Sequence, residues 1–219
     1  MSRMSARTLL ARTRDLIRRY RTDKQGVAAI EFAFILPIMF VMFVGAVELS
    51  QAITVDRRVT QAASSVADLA ARKETSISTT EMGDIMKIGG YIMAPYSQTP
   101  LRVIVRNVSS SSADATATKQ SWQCTYSATS ETATPVCACM NETYNLPAGL
   151  VSTTDSVVVA EATYTYTPLV FDYFLNRTLS SGEGGPGTYT LSERIYMKPR
   201  GQAAMLMQPD GLPCPSPTF

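Results

Sequence analysis

The chain has 219 residues, 45% hydrophobic and 17% charged, enough for one domain of ordinary size beside a separate apolar segment. Its 20 Lys and Arg nearly balance 18 Asp and Glu, but the charge is unevenly placed: the first residues are strongly basic and the remainder mildly acidic, so the basic pI of 8.3 is no sign of nucleic acid. There is no histidine, which removes the usual general base for a Ser or Cys nucleophile and most catalytic zinc sites, so the sequence reads as neither an enzyme nor a cofactor-binding protein.

In chain order, the leader comes first. Up to Gly26 it carries Arg3, Arg7, Arg12, Arg14, Arg18, Arg19, Arg21 and Lys24 against only Asp15 and Asp23. Positive charge beside a span holds that side in the cytoplasm, and the rest of the chain is then exported. From Val27 to Val47 the only ionisable residue is Glu31. About 20 such residues cross a bilayer as a helix, and the run is too long for an ordinary secretory signal core. A carboxylate at that depth costs roughly 3 kcal/mol on insertion scales and asks for a partner. Pro37 and Gly45 interrupt the run without ending a helix in lipid, and a bend is expected near Pro37. Beyond it Leu49, Ile53, Val59, Ala62, Ala63, Val66, Leu69 and Ala70 recur near helical spacing, which carries the helix to about Arg72, a rod of about 70 Å.

Gly26, four residues, then Glu31-Phe32 opening an apolar helix that contains Leu36-Pro37 resembles the processing site of TadE-like minor pilins of the tight-adherence (Tad, or Flp) pilus, and Glu48 fits the same pattern. The resemblance implies a membrane prepilin peptidase cutting on the cytoplasmic side between Gly26 and Val27, with Glu31 as fifth residue of the mature chain. It implies as partners the membrane, that peptidase, other Tad pilins and minor pilins and the inner-membrane assembly platform. Glu31, Pro37, Gly45 and Glu48 are then the helix–helix assembly residues. The localisation implied is a bacterial inner membrane, single-pass, with a periplasmic C-terminal domain that can enter an extracellular pilus.

The choice of residues has a physical reason apart from the family. Gly26 offers no side chain to exclude from a protease cleft and permits extended backbone. A freed Val27 amine, with a reference pKa near 8, is largely cationic at neutral pH and can neutralise the Glu31 carboxylate of a neighbouring subunit. Its own amine, one turn away on the same helix, competes. The simpler alternative is a Glu31 that snorkels to the headgroups.

Ser78-Thr79-Thr80-Glu81 reads as a capping box opening a short helix through Met82, Ile85, Met86 and Ile88, ended by Gly89-Gly90. Strands are predicted over Leu101 to Val108, Gln120 to Tyr126, Ser156 to Thr167 and Tyr189 to Met197, with Trp122, Cys124 and Tyr126 on one face. Ser109 to Ser112 are expected to lead into a polar loop. Leu169 to Leu175 form a short helix or an apolar loop, and residues 182–187 a glycine loop without the Gly-Lys-Ser/Thr of a phosphate site. The fold class expected is α+β: a long N-terminal helix, membrane span plus periplasmic extension, packed on a small, mainly antiparallel, pilin-like sheet. The divisions are leader 1–26, transmembrane helix 27–47, helix extension 48–72 and exported domain 73–219.

Cys124, Cys137, Cys139 and Cys214 all fall on the exported side, where oxidation favours disulfides. Residues two apart rarely meet disulfide geometry, so Cys124 pairs with one of Cys137 and Cys139, and Cys214 with the other. Zinc is the rival, without a C-x-x-C pair or a histidine to favour it. Three readings of the whole chain follow: a minor pilin or pseudopilin cut after Gly26, an uncleaved single-pass envelope adaptor, and a secreted binding protein released by a cut after Ala52.

Overall fold

The computed structural model of the chain describes residues 26–73, 76–129, 133–168, 170, 188–200, 206–209 and 212–219. The leader before Gly26, the glycine loop at 182–187 and, except for Val170, the segment 169–175 lie outside the described residues. The chain divides into two compact units, the first ending at Val47 and the second beginning at Glu48.

In the first unit the described residues are Gly26 and the head of α1 (Val27–Ala71), none of them buried. The helix runs unbroken through Pro37 and Gly45. In the second unit α1 changes character. Glu48, Val55, Val59, Ala62, Ala63, Val66, Ala67, Ala70 and Ala71 are buried, a set at three-, four- and seven-residue spacing that marks one covered face. Leu49 and Ile53, counted in the apolar stripe from the sequence, lie off that face and are 62% and 47% exposed.

After α1 come β1 (Ser76–Ser78), α2 (Thr79–Ile92), β2 (Leu101–Ser110), β3 (Thr118–Ser127), β4 (Val136–Thr143), β5 (Ser156–Tyr166), β6 (Tyr189–Met197) and β7 (Leu206–Gln208). The main sheet has the order β4-β3-β2-β5-β6 with every neighbouring pair antiparallel, and β1 and β7 form a separate parallel pair. An α+β protein with a long apolar N-terminal helix and a mainly antiparallel sheet is thus what the sequence led us to expect.

Alternation builds the two faces of the sheet. On β2, Leu101, Val103 and Val105 are fully buried while Arg102 is exposed and Ile104 and Arg106 are half-buried. The inner face joins Val55, Val59 and Val66 of α1, Met82 and Met86 of α2, and Val103, Trp122, Tyr126, Val158 and Ala160 in one core. On the outer face Glu161 receives Arg106 at 3.1 Å and Arg194 at 3.3 Å. Beside them a smaller cluster of Val108, Val157 and Val159 is covered by Tyr144, Leu146 and Tyr196.

The capping box at α2 is present in full: Ser78 Oγ accepts from Glu81 N, and the Glu81 carboxylate accepts from Ser78 N at 3.1 Å. The helix does not stop at Gly89-Gly90, as the sequence reading had it. It continues to Ile92, because both glycines serve close packing: a Cβ on Gly89 would sit 3.3 Å from a Val66 methyl and 3.7 Å from one of Val103. Pro95, which cannot continue a helix, follows soon after. The sequence reading also missed β1, β4 and β7. Ser109 and Ser110, assigned there to a loop, are buried residues of β2.

Candidate functional site

The candidate site is the head of α1, where the start of the helix coincides with the Gly26 to Phe32 motif singled out in the sequence. Gly26 stands in the turn before the helix, and its carbonyl accepts the first helical bond from Ile30 N at 3.1 Å. The Gly26–Val27 bond therefore lies at the helix boundary. A Cβ placed on Gly26 would meet nothing within 4 Å among the described residues. Val27 and Phe32 are 52% and 60% exposed, and Glu31 is exposed among Phe32, Phe34 and Ile35. The helix contains a window long and apolar enough to cross a membrane, near the N-terminus and with none of it buried.

Pro37 and Gly45 sit inside this stretch. Glu48 does not resemble Glu31. It is 7% exposed, and its Oε1 accepts the backbone N–H of Val170. Burial raises the Tyr166 phenol above its ordinary value, and the Glu48 charge, followed by Tyr96, adds to the shift, which places the carboxylate electrostatically beside that ring. Ten residues further along α1, Arg58 donates to the Ile92 carbonyl at 2.8 Å and lies 5.9 Å over the Tyr96 ring, fastening α1 to the segment after α2.

The cysteines pair as Cys124–Cys137 and Cys139–Cys214, one of the two arrangements left open by the sequence. The first joins register partners on β3 and β4. The second holds the chain after β7 to β4, helped by Cys214 N donating to the Met207 carbonyl at 2.7 Å and by Asn141 bonding Thr218 twice, at 2.9 and 3.2 Å. Among the described residues no group of His, Cys, Asp and Glu is placed to hold a metal ion.

Asp114, in the loop between β2 and β3, accepts from Thr116 N at 2.8 Å and Thr116 Oγ1 at 2.7 Å. These bonds, the side-chain one first, lower its pKa and make it a turn-forming residue. Two features escaped sequence reading. The burial of Glu48 depends on a residue far along the chain, and a polar cluster around Asn107 and Ser121 on the inner sheet face had no signal beyond an interrupted alternation.

An apolar helix head without buried residues, followed by a disulfide-bonded α+β body, gives, among the described residues, one candidate membrane-crossing helix. Residues 26–68 match the family model described as TadE-like protein, which bears out the likeness carried by Gly26, Glu31 and Phe32. The match begins at the glycine and covers most of α1. No curated protein and no solved structure gives a significant match.

Proposed function

We propose that the chain is a minor pilin or pseudopilin of a Tad-type pilus, inserted with its basic leader in the cytoplasm, cut between Gly26 and Val27 by a prepilin peptidase, and joined to other pilins through α1. The observation that carries this reading is the coincidence of three boundaries at one residue: the family match begins at Gly26, the helix begins at Val27, and the apolar run follows directly. In this reading residues 27–47 span the inner membrane and the body from Glu48 onward lies in the periplasm, where its disulfides form.

The chemistry of assembly follows from Glu31. An exposed carboxylate on an apolar helix is unfavourable in lipid until a cation reaches it, and the Val27 amine that cleavage creates supplies one on the neighbouring subunit. Cleavage thereby converts a solitary membrane protein into one that gains by association. Other pilins and the assembly platform are the partners, and the protein acts by packing, without catalysis.

The experiment is assembly of Glu31→Gln in cells carrying the pilus system. Membrane insertion and cleavage at normal levels, with at least a tenfold loss of the protein from sheared pili or from complexes with pilins, is the expected result. Wild-type incorporation of that variant would remove charge pairing from the account.

A further inference from the structure

The inner face of the main sheet changes chemistry along its length. Val103, Val105, Val158 and Ala160 are apolar, but the next residues on the same faces of β2 and β5 are Asn107, Ser109 and Ser156, all buried. Ser121 of β3 joins them: Asn107 Nδ2 donates to Ser121 Oγ at 3.0 Å and to Ser109 Oγ at 3.3 Å. Against this polar end lies a cavity of about 170 Å³, lined by Ser109, Ser110, Ser121, Trp122, Asp155 and Phe219 among others. The chain after β7, held by Cys139–Cys214, forms one wall.

Two buried polar atoms adjoining this lining, Asn107 Oδ1 and Ser156 Oγ, have no hydrogen-bond partner among the described residues. Both belong to fully buried side chains, and native interiors rarely leave such groups unmade. Asn107 orients two of the lining hydroxyls, and Ser156 is the register partner of Ser109. The cavity therefore combines serine hydroxyls and the exposed Phe219 ring in its lining with two unpartnered polar atoms just behind it.

We infer that this cavity binds one neutral polyhydroxylated ring, of the size and chemistry of a single pyranose sugar. The lining residues include no Lys, Arg or His, which disfavours an anion. The one carboxylate, Asp155, already receives Lys198 Nζ at 2.6 Å and Ser156 N at 2.9 Å, so its charge calls for no bound cation. A purely apolar ligand would set carbon against the hydroxyls of Ser109, Ser110 and Ser121, which bond within the protein but keep further hydrogen-bonding capacity. A sugar ring answers both halves of the lining, presenting hydroxyls to the serines and a C–H face to the exposed Phe219 ring, with Trp122 buried directly behind the wall. This site is independent of the pilus assignment, and either reading can fail with the other intact.

Trp122 is the single tryptophan of the chain, so its indole N–H resonance reports the cavity without ambiguity. The full-length protein in a zwitterionic detergent is titrated with the methyl pyranosides of glucose, galactose, mannose and N-acetylglucosamine, each to about 50 mM, and with inorganic phosphate as control. The expected result is a saturable shift with at least one pyranoside and none with phosphate. Phe219→Ala, at a residue 54% exposed, and Ser109→Val should each weaken that binding at least fivefold, the first without changing the thermal midpoint. Silence or a merely linear drift with all four sugars, an equal response to phosphate, or sugar binding that Phe219→Ala leaves unchanged would each overturn the inference.

Discussion

The Glu48 carboxylate, buried on α1, accepts the backbone N–H of Val170, a residue 122 positions further along the chain. This bond ties the first turn of the helix in the second unit to the segment that follows β5. It gives Glu48 an intrachain task at the point where the apolar run ends.

Removing that acceptor should destabilise the body while leaving the helix head alone. Glu48→Ala is expected to cost about 1–3 kcal/mol, the penalty for a buried donor left unmade, and Glu48→Gln less because its amide oxygen can still accept. Chemical denaturation of the detergent-solubilised protein measures both. The cleavage proposed after Gly26 should be unaffected in either variant, since Glu48 lies at the opposite end of the apolar run.

A Cβ at Gly26 meets nothing within 4 Å among the described residues, so a larger side chain there has no packed neighbour among them to displace. Gly26→Leu is predicted to leave membrane insertion and the thermal midpoint of the body unchanged while blocking cleavage. Immunoblots would show precursor alone. Processing at the normal rate would mean that the glycine is not read by the protease.

Gly89 lies between Val66 of α1 and Val103 of β2, where a Cβ would already sit 3.3 Å from a Val66 methyl and anything longer would have to displace its neighbours. Gly89→Leu should push α2 away from the core and lower stability by about 1–3 kcal/mol. A melt followed by circular dichroism measures this.

The Cys139–Cys214 bridge spans 75 residues of sequence and fastens the last described segment. Replacing both cysteines with serine is expected to cost on the order of 2–4 kcal/mol in the loop-entropy account. Limited proteolysis should then cut after β7 at least tenfold faster, while the Cys124–Cys137 bridge between adjacent strands stays formed.

Acid should weaken the body through Asp114 and, beyond it, three carboxylates paired with cations. Arg72, and after it Arg200, lowers the pKa of Asp68; Lys73 and the Ser78 backbone lower that of Glu81; burial opposes the shift at Asp155, but Lys198 and the backbone N–H of Ser156 outweigh it. A depressed pKa stabilises the folded form above the unfolded value, and the contribution disappears as pH falls through the folded one. The thermal midpoint should therefore hold down to about pH 5 and fall below about pH 4. In Asp155→Asn and Asp68→Asn that fall should be shallower.

Much of this architecture was legible because its signals are local. The apolar run, the capping box at Ser78 and Glu81, and the β-branched runs of β2 and β5 each announce themselves within a dozen residues. What was not legible depends on distant partners. β4 is largely exposed, with Val136 73% exposed, and forms a strand because β3 and a disulfide hold it; β1 and β7 are three-residue strands that exist only as a pair. Gly89-Gly90 looked like a helix stop because the sequence does not show Val66 and Val103 pressing on it. At the candidate site, Gly26, Glu31 and Phe32 were singled out through the family resemblance, whereas the burial of Glu48 required knowing where Val170 lies.

The most direct measurement is the N-terminal residue of the protein recovered from cell envelopes and sheared pili, read by Edman degradation or by intact mass. The account predicts a chain beginning at Val27, with the precursor accumulating when the prepilin peptidase is removed. A mature chain that still carries the leader, or one that begins at Ile53, would contradict it.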